Sequence, residues 1–133
     1  MTRGKLNKIL LAEDEADIRT IAKIALEDIG KFTVSYCVSG NDALKKAKDF
    51  LPDLILLDVM MPGLDGVATF KAFRQLPEFK ETPIIFMTAK VQASEIAYYL
   101  QLGAADVISK PFNPVTLADN LRTTWKKLEM SKI

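Results

Sequence analysis

Five short apolar runs recur along the chain: Lys8–Ala12 (KILLA), Phe32–Val38 (FTVSYCV), Leu54–Asp58 (LILLD), Pro83–Thr88 (PIIFMT) and Asp106–Ser109 (DVIS), their starts 22 to 29 residues apart. Each interval is too long for a hairpin turn and carries a segment of helical period, so strands alternate with helices and must pair in parallel. Residues 9–12, 54–57 and 84–87 are nearly continuously apolar, the pattern of strands covered on both faces. In Asp17–Ile29 the residues Ile18, Ile21, Ala22, Ala25 and Ile29 share one face, and Gly30 follows as a stop. Asn41–Leu51 places Ala43, Leu44, Ala47 and Leu51 together, with Ser39 and Asp42 as a capping pair and Pro52 as terminator. Gly66–Gln75 offers Val67, Phe70 and Phe73. Ser94–Leu102 offers Ile96, Ala97 and Leu100 before Gly103. Pro114–Glu129 offers Leu117, Leu121, Trp125 and Leu128, with Pro114 suited to the first turn. The expected fold is α/β: a (βα)5 three-layer sandwich around an open, five-stranded parallel sheet with right-handed crossovers.

The length of 133 residues suits one domain over 1–133, with its core at about 8–128. The net charge of +1 argues against a nucleic-acid binder relying on a basic field. Lys126 and Lys127 are expected on a solvated helix face. With no histidine, His-based triads, general bases and metal ligands are excluded; with Cys37 as the one cysteine, so are an internal disulfide and a cysteine-rich zinc site. Cys37 reads as a small core residue. No apolar stretch reaches a membrane-spanning length, and the N-terminal run is too short for a signal-peptide core, so a soluble cytoplasmic protein is expected.

In such a sheet, chemistry gathers at the carboxyl ends of the strands. The first strand ends at Glu13-Asp14-Glu15, the third at Asp58, the fourth at Thr88-Ala89 and the fifth at Ser109-Lys110-Pro111-Phe112. Glu13, Asp14, Asp58, Thr88 and Lys110 are therefore expected in one pocket. Its carboxylates need a divalent cation beside Lys110, and hard oxygen donors favour Mg2+, or Mn2+ in its place. A carboxylate in that setting can attack phosphorus and form an acyl phosphate. Asp58 is the preferred nucleophile, because it closes a wholly apolar strand and opens a Met-Pro-Gly loop. Asp14 can bind the metal directly, and Glu13 directly or through water. Lys110 and the Thr88 hydroxyl can meet phosphoryl oxygens. Asp65 and Asp106 read as structural, belonging to a turn and a strand start. Tyr98 and Tyr99 fit core packing and a partner surface equally well.

The acidic pair Glu13-Asp14, the block DVMMPGLDG with Asp58, IIFMTA with Thr88 and GAADVISKPF with Lys110 occur in order at strand ends. With these four blocks the chain resembles the receiver domain of two-component response regulators from Lys8 to about Leu128. The resemblance implies a flavodoxin-like fold with strand order 2-1-3-4-5. It implies that Asp58 accepts a phosphoryl group from a phosphohistidine on a sensor histidine kinase or a histidine phosphotransfer protein. Mg2+ would be held by Asp14, Asp58 and the backbone carbonyl of Met60, with Glu13 nearby. Thr88 would move toward the phosphoryl, the small Ala89 would allow close approach, and the Lys110–Pro111 peptide would be cis. The outcome would be a phosphorylation-dependent switch in the 88–110 region and the last helix. It would meet a downstream protein through Ser94–Leu102, Val107 and Pro114–Glu129, with no membrane or nucleic-acid contact and no separate substrate turnover.

Three positions depart from the family pattern. Val107 stands where the family often has an aromatic switch residue, and a valine has no ring to rotate. Met60 and Lys90 occupy positions that similar receivers use to guide the hydrolytic water; neither is acidic or an amide, which implies a persistent phosphoryl group. Other classes remain open to the residues alone. An aspartyl-phosphate phosphohydrolase of small molecules commonly has a second acid where Met60 stands. A flavin carrier would need a phosphate-cradling loop where Glu13-Asp14-Glu15 would repel phosphate. With the sequence ending at Ile133, a stand-alone receiver, a relay intermediate, or a fragment of a larger regulator or hybrid kinase is expected.

Overall fold

The computed structural model describes residues 4–89 and 92–131. The strands are β1 (Lys8–Ala12), β2 (Thr33–Cys37), β3 (Leu54–Asp58), β4 (Ile84–Thr88) and β5 (Asp106–Ser109). They form a parallel sheet of order β2-β1-β3-β4-β5. The helices are α1 (Ala16–Lys23), α2 (Gly40–Phe50), α3 (Gly66–Gln75), α4 (Ala93–Leu102) and α5 (Leu117–Met130). Two apolar layers lie on opposite faces of the sheet, since alternate strand residues face opposite ways. Leu10, Ile55, Leu57, Ile84 and Phe86 pack with Ala43, Ala47, Phe70, Phe73 and Tyr99 on one face. Ile9, Leu11, Leu54, Leu56, Ile85 and Met87 pack with Ala22, Ala25, Leu26, Leu117, Leu121 and Trp125 on the other. Both faces are covered, which is why β3 and β4 are buried at every position. Among the described residues no helix is long and apolar enough to cross a membrane.

The ends of the elements follow their local chemistry. Ser39 Oγ accepts from Asp42 N at 3.1 Å, and Asp42 Oδ2 accepts from Val38 N at 3.0 Å, so the expected capping pair secures α2. Asp65 caps α3, its Oδ1 accepting from Ala68 N at 2.8 Å. Gly103 ends α4 at φ 114°, a conformation that favours glycine. Asp106 is structural, as expected: it accepts from Val107 N at 2.8 Å and from Thr124 Oγ1 at 3.2 Å, tying β5 to α5. At the foot of α5, Trp125 Nε1 donates to Gly4 O at 2.9 Å, fastening the segment before β1.

Three helical expectations are corrected. The helix expected over Asp17–Ile29 becomes α1 followed by a π-helical segment, Ile24–Ile29. Ala22, Ala25 and Leu26 are buried at regular helical spacing, with Ile21 beside that stripe and exposed; the wider turn then breaks the 3.6 period, turning Ile29 out to solvent and Gly30 in. The residue of left-handed conformation after it is Lys31, at φ 62°, and Gly30 is instead a point of close approach to Leu26 and Ala118. On α4 the buried residue is Tyr99, with Ala97 and Leu100 exposed, so the face is rotated from the one expected. Finally, α5 starts at Leu117. Pro114 lies in a preceding turn in which Asn113 O accepts from Thr116 and Leu117, because that turn supplies the first acceptors.

Candidate functional site

The register aligns the carboxyl ends of the strands: Ala12 is level with Cys37 and Leu57, Asp58 with Met87, and Thr88 with Ser109. The next residue of β1 is thus Glu13, and the next of β5 is Lys110, both beside Asp58. Lys110 Nζ lies 2.8 Å from Glu13 Oε1 and 3.1 Å from Asp58 Oδ2. Glu13, Asp58 and Thr88 are buried, at 0%, 2% and 3% exposure. Asp14 is exposed at the rim. The Lys110–Pro111 peptide is cis.

Several backbone contacts fix this arrangement. Met60 N donates to Asp58 Oδ1 at 3.3 Å. Arg19 Nη1 donates to the Glu13 carbonyl at 2.7 Å, and Glu13 N donates to Cys37 O at 3.0 Å. Gly66 N donates to Val59 O at 3.0 Å. A Cβ at Gly66 would overlap the Asp58 carbonyl oxygen, so only glycine lets α3 begin against the end of β3. Thr69, fully buried, donates to Asp65 O at 2.7 Å and holds the loop from below.

The electrostatics are those of a crowded acidic pocket. Burial, reinforced by the neighbouring Asp58 carboxylate, outweighs Lys110 and pushes the Glu13 carboxyl up to about 7. Burial also works against the Lys110 ammonium, but attraction to Glu13 and Asp58 wins and holds it above its ordinary value. Among the described residues, Asp58 Oδ2 is buried without a hydrogen-bond partner. Its charge neighbour is Lys110 Nζ, 3.1 Å away. Glu13, Asp14 and Asp58 each present a carboxylate oxygen, and these lie within 4.8 Å of one another. An all-oxygen, three-carboxylate donor set with one unsatisfied buried oxygen fits a hard divalent cation such as Mg2+.

The sequence-expected residues Glu13, Asp14, Asp58 and Lys110 therefore meet, and Thr88 closes the adjacent strand. The Met60 side chain is 74% exposed at the mouth. Val107 is half-buried beside Phe86. Lys90 lies outside the described residues. Motif reading does not single out Arg19 or Thr69, and it takes in Gly66 only as the residue that closes the DVMMPGLDG block. Arg19 stands four residues after Glu15, on the turn that faces back toward the strand end, and that spacing is the signal that could have found it.

The family profile of the response regulator receiver domain matches residues 9–122. The chain belongs to that family. Receiver domains carry phosphorylation-dependent signalling in two-component systems, which selects this reading over the phosphohydrolase and the flavin carrier. The chain is 38% identical over 124 residues to the alkaline phosphatase synthesis transcriptional regulatory protein PhoP of Bacillus subtilis, covering 93% of this chain and 50% of that protein. It is 38% identical over 127 residues to the transcriptional regulatory protein CpxR of Escherichia coli, covering 96% and 53%. The chain thus spans about half the length of these curated relatives. Among solved structures, the chemotaxis response regulator CheY4 of Vibrio cholerae superposes with a TM-score of 0.83 at 32% identity, over 90% of this chain and 99% of that one. The fold of this chain is thus the flavodoxin-like receiver fold, with the strand order 2-1-3-4-5.

Proposed function

We propose that Asp58 is the phosphoacceptor of this receiver. The observation that carries the reading is Asp58 Oδ2, buried 3.1 Å from Lys110 Nζ within the three-carboxylate group and without a hydrogen-bond partner among the described residues. Asp58 attacks the phosphorus of a phosphohistidine; the Oδ–P bond forms, and the N–P bond breaks with its pair returning to the imidazole. Lys110 neutralises charge on the transferred phosphoryl, and the Thr88 hydroxyl donates to it. Met60 N holds Oδ1, which leaves Oδ2, beside Lys110, as the attacking oxygen. Asp14, Asp58 and the Met60 backbone carbonyl would hold Mg2+, with Glu13 as a direct or water-bridged ligand. When bound, the ion offsets the charge that develops on the phosphoryl oxygens.

Residues 8–128 act in this reading as one cytoplasmic receiver domain. It is phosphorylated by a sensor histidine kinase or histidine phosphotransfer protein, and it turns over no separate substrate. Output runs to a protein partner through Ser94–Leu102, Val107 and Pro114–Glu129, where Tyr98, Leu100 and Val115 are exposed. Direct contact with nucleic acid is assigned to no residue of this chain. Incubation with Mg2+ and acetyl phosphate followed by intact mass tests the assignment. One added phosphoryl in the wild type, lost in Asp58→Ala and without Mg2+, supports it. No gain in the wild type, or the same gain in Asp58→Ala, overturns it.

A further inference from the structure

Among the ten residues of α4, Tyr99 is the buried one. Its ring centroid lies 5.1 Å from that of Phe86 on β4. Phe86 in turn lies 5.5 Å from Phe70 on α3, and the exposed Tyr98 lies 5.5 Å from Tyr99. Four rings thus run from the middle of the molecule to the outer face of α4. Phe86 and Thr88 are two residues apart on one strand, so their side chains leave the sheet on the same face. The ring column therefore begins beside the residue that closes the phosphoacceptor pocket. Burial raises the Tyr99 phenol above its ordinary value, and the carboxylates of Glu95 and of Asp65, the latter in the loop that follows Asp58, act in the same direction. Val107 faces Phe86 across the β4–β5 pair and packs into the same cluster. It carries no ring, so β5 has no aromatic side chain at this point to relay a movement.

Tyr99 is the buried anchor of α4; Leu102 packs part-buried against the same cluster at the end of the helix, and the remaining residues are exposed or half-buried. An element held mainly through one large side chain can change its setting without dismantling the core. We propose that Tyr99 is the pivot that transmits the state of the Asp58 pocket to the outer face of α4, with Phe86 as its seat and Tyr98 as the outward-facing group. This inference rests on the reading of Asp58 above. A ligand in the pocket selects one setting of Tyr99 on Phe86, and by reciprocity a change at Tyr99 alters the response seen at Tyr98.

The chain has three tyrosines, so fluorotyrosine labelling gives three fluorine signals, assignable by single Tyr→Phe variants. Beryllofluoride with Mg2+ serves as the phosphoryl stand-in, and its own bound fluorine signal reports occupancy. At full occupancy the Tyr98 and Tyr99 signals shift while Tyr36, on the far edge strand, stays in place. In Tyr99→Met occupancy persists, but the Tyr98 shift falls by about fivefold or more; Tyr99→Phe, which keeps the ring, retains it. A static Tyr99 signal in the occupied wild type overturns the proposal and needs no variant to fold. An unchanged Tyr98 shift in Tyr99→Met overturns it as well, and loss of the shift in Tyr99→Phe overturns the role of the ring. Absence of the bound beryllofluoride signal in the wild type overturns the Asp58 assignment itself, and this inference with it.

Discussion

Lys110 Nζ lies 2.8 Å from Glu13 Oε1, a pair joined across 97 residues of chain with only 11% of the lysine side chain and none of the glutamate open to solvent. Such a pair is destabilising to break from one side, because the remaining charge stays buried. Lys110→Met is therefore expected to lower stability by about 3 kcal/mol at pH 7.5 without Mg2+. Urea denaturation checks this; a loss below about 1 kcal/mol would mean the carboxylates relax into water once the ammonium is gone.

The raised Glu13 carboxyl gives a pH dependence of defined sign. Its folded value of about 7 lies above its ordinary value of 4.5, so the folded state binds the proton more tightly. The stability this group contributes is present below about pH 4.5 and is lost as the pH rises toward 7. Glu13→Gln removes that titration. The stability of the metal-free variant relative to wild type should therefore increase between pH 4.5 and 7 and then level off. Thermal melts of both proteins across that range test it, and a gap that stays constant or shrinks contradicts it.

Gly66 leaves no room for a side chain against the Asp58 carbonyl. Gly66→Ala must push the start of α3 away from β3, at a cost of about 1–3 kcal/mol. Because the displaced backbone carries Asp58, the acetyl phosphate reaction should slow by more than the loss of folded protein explains. Phosphorylation rates normalised to the folded fraction would reveal this, and an unchanged normalised rate would confine Gly66 to packing.

Met60 stands exposed at the mouth of the pocket and has no group able to orient an attacking water. Met60→Asn supplies one, and paired with Lys90→Glu it should shorten the phosphoryl lifetime roughly fivefold or more. Decay of the phosphorylated mass after removal of the donor measures it. Wild-type decay within a few seconds, or the same lifetime in the double variant, would contradict the expected persistence.

The sheet and the carboxylate pocket were legible because both are written in short, local patterns. Continuous apolar runs mark doubly covered strands, and the residue that ends each run has one place to go in a parallel sheet. Cys37, Asp65 and Asp106 were also read correctly, since burial, capping and turn chemistry act over a few residues. The faces of α1 and α4 were not legible. A π-helical turn at Ile24–Ile29 shifts the phase without a distinctive residue, so Ile29 looks like core and is surface. Tyr99 and Tyr98 are adjacent and alike; only the position of Phe86 on a different element decides which of them is buried. Gly66 was visible as a loop glycine, but its necessity depends on the path of Asp58.

The indole of Trp125 rests on Gly4, at the end of the sheet where the strands begin, a full strand length from the acidic pocket. It is the chain's single tryptophan. Its ultraviolet emission thus watches the foot of the last helix and the lead-in to the first strand, and an ion settling at the opposite rim has no direct optical witness there.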